Sequence, residues 1–251
     1  MSAILIDVGN TSTTIGRWEN DKVTEIVAVK GGIKDPSKVA TALEELRAKE
    51  CSGAMLASVV PAVNDTWRWM LESVVGIELD ILSVSKHKLP IGIKYPNPEQ
   101  IGADRIADAV GAVVRYGHPV IVADFGTALT FDVVDNECNY IGGAIAPGLP
   151  LMTEYLHERT AKLPLVTLDD DFPNKGDSTE NAMKLGAKLG HRGMVREIST
   201  FLRDEVLKNK NAVLCATGGY AEWALDGLDM DCHIDYDLTL FGLGVIYVQN
   251  K

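Results

Sequence analysis

The stretch ILIDVGNTSTTIG (residues 4–16) returns in outline as VIVADFGTALTFD (residues 120–132). Each is an apolar, largely β-branched run that ends on an Asp, with a Gly two positions later and hydroxyl side chains after it. The run reads as a strand and the Gly as the bend of a hairpin, because Gly permits dihedrals or close approach that other residues do not. Asn10 and Thr11 in the first copy, and Thr127 and Thr130 in the second, add side-chain donors beside the N–H groups of the bend. That is the composition of an anion nest. One Asp-x-Gly closes many ordinary hairpins; two in equivalent places point to a shared task.

Working outward, alternation predicts strands over 2–8, 12–19 and 23–30, with Asn20-Asp21 as hairpin turn. A helix over 36–49 follows, capped by Asp35 with Pro36 in its first turn, then a strand over 54–60 stopped by Pro61 and a helix over 63–75. Residues 77–95 read as extended, and a helix spans about 102–116, with Ile106, Val110 and Val113 on its apolar face. From His118 the plan repeats: strands over 119–124, 129–134 and 140–145, helices over 149–161 and 179–208, a strand over 212–216 and a last helix near 239–248. The expected fold is α/β: two tandem ribonuclease-H-like domains, 1–117 and 118–251, each a mixed sheet flanked by helices, with a nucleotide cleft between them. Asp7 and Asp124, at the ends of matched strands, are then placed to hold a cation beside phosphates.

Composition narrows the partners. A net charge of −11 argues against a nucleic-acid surface, which is built on Lys and Arg. No run approaches a membrane span and no basic leader precedes the first strand, so the expectation is a cytoplasmic protein. The four Cys and five His are scattered without metal-ligand spacing and read as background. Trp67 and Trp69 read as side chains that pack or rest on the surface of a helix rather than stack a base, and Asp169 to Asp171 as a solvated loop. Neither GxxxxGK[ST] nor GxGxxG occurs, which removes the signatures of the P-loop and dinucleotide folds.

Two matched phosphate hairpins resemble the nucleotide grip of the actin, heat-shock ATPase and sugar kinase superfamily. A third element, LCATGGYA (residues 214–221), puts Gly218 and Gly219 between a strand and a helix, where a nucleoside can lie against backbone. More narrowly, DVGNT, ASVVP (57–61), YPNPEQIGADR (95–105), DFGTALTFD, GGAIAPGL (142–149), TAKLP (160–164), DSTENAMKLG (177–186) and ATGGYA stand in the order seen in type III pantothenate kinases. The resemblance runs from about residue 3 to 247. It implies that Asp7, Val8, Gly9, Asn10 and Thr11, with Ser12, Thr13 and Thr14, bind ATP phosphates, and that Asp7 helps organise Mg2+. It implies a pantothenate site at Gly102, Ala103, Asp104 and Arg105, with Asp104 accepting the proton of the primary hydroxyl, Arg105 pairing with the carboxylate and Tyr95 lining the pocket. Asp124 matches the ligand of a K+ or NH4+ ion, Thr127 a further ATP contact, and Thr179 a pantothenate contact supplied across a homodimer. Many members carry Lys where this chain has Thr14, so the phosphate charge must be met in another way.

Two other classes fit parts of the pattern: a kinase for another small alcohol or a polyphosphate-type phosphatase of the same superfamily, and an ATP-binding regulatory protein without turnover. Intact Asp104, Asp124 and Thr127 favour chemistry.

Overall fold

A computed structural model of the chain describes residues 1–168 and 172–251, which form two compact units. The first gathers Met1–Gly117, Cys138–Ile141 and Asp237–Lys251; the second, His118–Glu137 and Gly142–Tyr236. The run Asp169 to Asp171, read above as a solvated loop, lies outside the described residues.

In the first unit β1 (Ser2–Val8), β2 (Ser12–Glu19) and β3 (Lys22–Lys30) form an antiparallel meander. Helix α1 (Pro36–Glu45) follows, then β4 (Ala54–Ser58), α2 (Asn64–Trp69), β5 (Leu79–Ile81), the two-residue β6 (Gly92–Ile93) and α3 (Ala103–Tyr116). The sheet order is β3-β2-β1-β4-β5, with β4 parallel to β1 and β5 parallel to β4. Ala3, Ile4, Leu5 and Ile6 are all fully buried, the continuous apolar run expected of a central strand covered on both faces. Ile4, Ile6 and Val8 pack with Val39, Leu43 and Leu46 of the α1 segment and with Trp67 and Leu71. Side chains alternate along a strand, so Asp7 shares the other face with Ala3 and Leu5.

The second unit begins with β7 (Val120–Phe125) and β8 (Ala128–Val134). It continues with the later part of β9 (Asn139–Pro147), whose opening residues Asn139 and Tyr140 belong to the first unit and pair there in parallel with β6, then α4 (Leu149–Arg159) and α5 (Thr179–Phe201). Strand β10 (Val213–Thr217), α6 (Ala221–Leu225) and β11 (His233–Ile234) complete it. Within it the strands run β11-β10-β7-β8-β9, the same topology as β5-β4-β1-β2-β3. The repeat reaches single residues. Asp7 lies opposite Thr14 in one hairpin and Asp124 opposite Thr130 in the other, while the parallel partners are Ala57 and Thr217.

Several boundaries differ from the sequence reading. Helix α1 stops at Glu45, followed by a short 3-10 turn (Ala48–Glu50), because Arg47 turns to φ 51°. Strand β4 ends at Ser58, two residues early, since Val59 already donates to Val8 O beyond the ladder. The second helix changes to π geometry over Met70–Val75, and the helical stretch after α5 does so over Leu202–Val206. Trp67 is buried, whereas Trp69 is 58% exposed.

The final helix, α7 (Leu238–Gln249), read as closing the second domain, packs in the first unit. It crosses α3 where a Cβ on Gly111 would come within 2.7 Å of Leu238 O, and one on Gly242 would collide with Ala107 O. Two bare backbones are what let the helices approach so closely. Thr239 donates to Asp108 at 2.6 Å, and Arg115 forks onto Asp237 at 2.6 and 3.1 Å with its guanidinium 3.9 Å from the Phe241 ring. Among the described residues no helix is long and apolar enough to cross a membrane.

Candidate active site

In an open α/β sheet, ligands bind beyond the carboxyl ends of the parallel strands. In the first unit those ends are Val8, Ser58 and Ile81. Beside Ser58 lies a cavity of about 320 Å³. Its walls come from the exits of β4 (Ser58, Val59) and β5 (Leu82, Ser83, Val84), and from the start of α3 (Gly102, Ala103, Ile106) with the 3-10 turn before it. Val8 pairs with Ser58 in register, and Val59 N–H donates to Val8 O at 3.1 Å. The DVGNT bend and the cavity are thus joined through two main-chain links.

That bend is closed by Gly9 N–H donating to Ser12 O at 3.0 Å, and Gly31 N–H donates to Thr11 O at 3.4 Å. Asn10, Thr11 and Ser12 are exposed, Asp7, Gly9 and Thr14 half-buried and Thr13 buried. Gly9 is not left-handed, contrary to one of the two reasons given for it above; a Cβ there would sit 3.2 Å from Ser12 O, so close approach is the reason.

At the start of α3, Gly102 provides no side-chain cap. The Asp104 carboxylate, half-buried in the first turn, accepts from Arg105 N–H at 2.8 Å. Burial raises its pKa above the ordinary carboxylate value, and the Arg105 amide and guanidinium offset only part of that. Gly102 and Ala103 line the cavity, and Asp104 and Arg105 follow directly in the chain. Tyr95 is not among the lining residues; its ring packs edge-on to buried Tyr140, centroids 6.1 Å apart.

In the second unit Gly126 N–H donates to Ala128 O at 3.1 Å, the counterpart of the Gly9 bond. Asp124 and Thr127 are half-buried. Two glycines hold this bend from outside. Gly148, at the end of the GGAIAPGL motif, lies against the carbonyls of Gly126 and Thr127. Gly218, left-handed at φ 91°, lies against the Asp124 carboxylate, where a Cβ would also come within 2.7 Å of Phe125 backbone. Gly219 faces open space, with nothing within 4 Å of a Cβ position. Thr179 is exposed at the first position of α5, whose cap is Ser178, accepting from Asn181 N–H at 3.1 Å.

The structure therefore joins the Asp7 bend with Gly102 and Ala103 in one unit, and gathers Asp124, Thr127 and Gly218 in the other. Missed from sequence were the cavity wall from Leu82 to Val84 and the part played by Gly148. The motifs ASVVP and GGAIAPGL were signals for Ser58, Val59 and Gly148; the residues after β5 gave none. Among the described residues no group of three or more His, Cys, Asp or Glu side chains could hold a metal ion.

Two mixed sheets of repeated topology, each with an Asp-x-Gly hairpin on its central strand, define an α/β protein built on a duplicated strand–hairpin plan. The activator of 2-hydroxyisocaproyl-CoA dehydratase from Clostridium difficile with bound ADPNP shares this fold, with a TM-score of 0.58, 11% identity and coverage of 99% of this chain and 94% of that one. The sequence profile of the type III pantothenate kinases matches residues 3–200. A type III pantothenate kinase from Akkermansia muciniphila is 41% identical over 203 residues, 80% of this chain and 81% of its own. One from Methylacidiphilum infernorum is 36% identical over 257 residues, covering 99% and 90%. The chain belongs to the type III pantothenate kinase family.

Proposed function

We propose that this protein transfers the γ-phosphoryl group of ATP to the primary hydroxyl of pantothenate, giving 4'-phosphopantothenate, the first step of coenzyme A biosynthesis. Family membership gives the reaction. The structural observation that carries it is the main-chain link from the Asp7 bend to a cavity walled by Gly102 and Ala103, which brings a phosphate turn and an alcohol site to one sheet edge.

The phosphoryl transition state is loose, so positioning and charge stabilisation do most of the work. The N–H groups and hydroxyls from Gly9 to Thr14 take ATP phosphate oxygens, and Thr127, Gly218 and Gly219 are further ATP contacts. Asp104 orients the attacking hydroxyl and receives its proton, which its raised pKa favours. Arg105 offers a planar fork for the pantothenate carboxylate. Thr179 completes the acceptor site from a second copy of the chain. Exposed Ile145, Leu151, Tyr155, Leu156 and Leu189 supply apolar surface of the kind a homodimer covers.

Mg2+ usually relies on one or two carboxylates plus substrate phosphates, which suits Asp7 at the end of β1 and the lack of an all-protein ligand cluster among the described residues. Asp124, whose carboxylate lies beside Gly218, suits a singly charged hard cation, K+ or NH4+. We place the enzyme in the cytoplasm, acting on small molecules rather than on nucleic acid or membrane.

The test is purified protein with ATP, Mg2+, K+ and pantothenate, with mass detection of the product. Phosphopantothenate formed at the expense of ATP supports the assignment; ATP binding without turnover on pantothenate, simple sugars or glycerol favours a regulatory protein. Full activity after K+ and NH4+ are replaced by Na+ would remove the role given to Asp124.

A further inference from the structure

The wall of the acceptor cavity formed by residues 82–84 lies just past the sheet. Leu82 N–H makes the last rung, to Leu56 O at 2.9 Å, and beyond it Ser83 has left the ladder. What holds Ser83 is the side chain of His87, only 4% exposed. Its Nε2 lies 3.1 Å from Asp80 Oδ1, on β5. A carboxylate oxygen only accepts, so Nε2 carries a proton in this contact. Nδ1 meets the Ser83 main chain at both its atoms, with Ser83 N–H donating to it at 3.2 Å and Ser83 O 3.1 Å away. The main chain closes the same turn from the other side, with His87 N–H donating to Ser83 O at 3.1 Å and Lys86 N–H at 3.2 Å. The imidazole thus bridges the end of β5 and the first residues of the cavity wall.

We infer that His87 is a positioning residue for the acceptor: by holding Ser83 N–H against β5 it fixes the wall formed by Leu82, Ser83 and Val84, and so the pocket that receives pantothenate. His87 is not among the residues lining the cavity and acts through the main chain of Ser83. The inference rests on the assignment of this cavity to pantothenate. Without the ring the half-buried Ser83 N–H loses its acceptor, and Ser83 and Val84, beyond the ladder, lose the side-chain link to β5, while the Asp7 bend, tied to Val59, is untouched.

The experiment compares His87→Ala, His87→Gln and Asp80→Asn with the wild type by steady-state kinetics, thermal unfolding and amide exchange at Ser83 and Val84. In His87→Ala the KM for pantothenate should rise about five- to tenfold. The KM for ATP, and kcat at saturation, should stay within about twofold, since no ATP contact is lost. Amide exchange at Ser83 should quicken. Gln at 87 keeps an acceptor within reach and should recover much of the pantothenate KM, and Asp80→Asn, which can still accept from Nε2, should leave it nearly unchanged. An unchanged pantothenate KM in His87→Ala, equal rises for both substrates, or no recovery with Gln would overturn the role. If the wild type makes no phosphopantothenate, the cavity assignment fails first. Exchange at Ser83 then still reads whether His87 holds the wall: faster exchange in His87→Ala keeps the anchor, and unchanged exchange removes it.

Discussion

Burial holds the Asp104 carboxyl above the usual carboxylate range, and the neighbouring Arg105 amide pulls it only part of the way back. A carboxyl whose pKa is raised on folding contributes stability at low pH, and that contribution is lost as pH rises through the raised value. At neutral pH an ionised Asp104 therefore works against folding. Asp104→Asn should lower kcat by about 10²- to 10⁴-fold with ATP binding kept. The same variant should unfold at a higher temperature than wild type at pH 7, the gap closing as the buffer is made acidic. Wild-type turnover in that variant would mean the proton acceptor lies elsewhere. His191 has the opposite sign. It is 1% exposed on α5, packed on the Phe125 ring with centroids 5.8 Å apart, and burial lowers its pKa from 6.5 to about 4. A depressed pKa gives stability that is present above about 6.5 and lost as pH falls to about 4. Replacing His191 with Phe should flatten the decline of the denaturant midpoint between those pH values, measured against wild type in the same buffers. An equal decline in both proteins would mean that this ring does not charge on unfolding.

At the scale of elements, the two hairpins were legible because their signals are local. Alternation set β1, β2 and β3 to within a residue, and Asp-x-Gly marked both bends. What supports a bend was not legible, since Gly148 and Gly218 reach the second hairpin from 22 and 92 residues beyond Gly126, counted along the chain. Gly218→Ala combines a left-handed backbone, costing about 1–2 kcal/mol for an L-residue, with a clash against the Asp124 carboxylate and Phe125 main chain. Its expected outcome is a raised KM for ATP together with a weakened response to K+, both read from initial rates. Unaltered kinetics would show that the bend yields to a methyl group. Strands β5 and β6, three and two residues long, lie within the stretch 77–95 read as extended, but their bounds could not be read because their pairing comes from β4 and β9 rather than from their own pattern. The π segments after α2 and α5 escaped for a similar reason, as apolar spacing does not distinguish them from α-helix.

At the scale of the molecule, α7 is the element whose place could not be read from its position in the chain. It follows the second unit and packs in the first, held by the Gly111–Gly242 crossing and by Arg115 on Asp237. A chain ending at Tyr236 should accordingly lose the first unit's cooperative unfolding and its substrate binding, although every residue of β1 to β6 and α3 remains. Retention of a wild-type unfolding transition by that truncated chain would show α7 to be dispensable. By itself the sequence determined the α/β class, the repeated strand–hairpin plan, the family and the chemical types at Asp7, Asp104 and Asp124, because each is written in residues close together or in an ordered set of motifs. Only tertiary structure decided which strand exits wall the cavity, why Gly148 and Gly218 must be bare, where α7 docks and what His87 holds. Those depend on register and close approach between segments far apart in sequence, and no local pattern of residues encodes a distance of that kind.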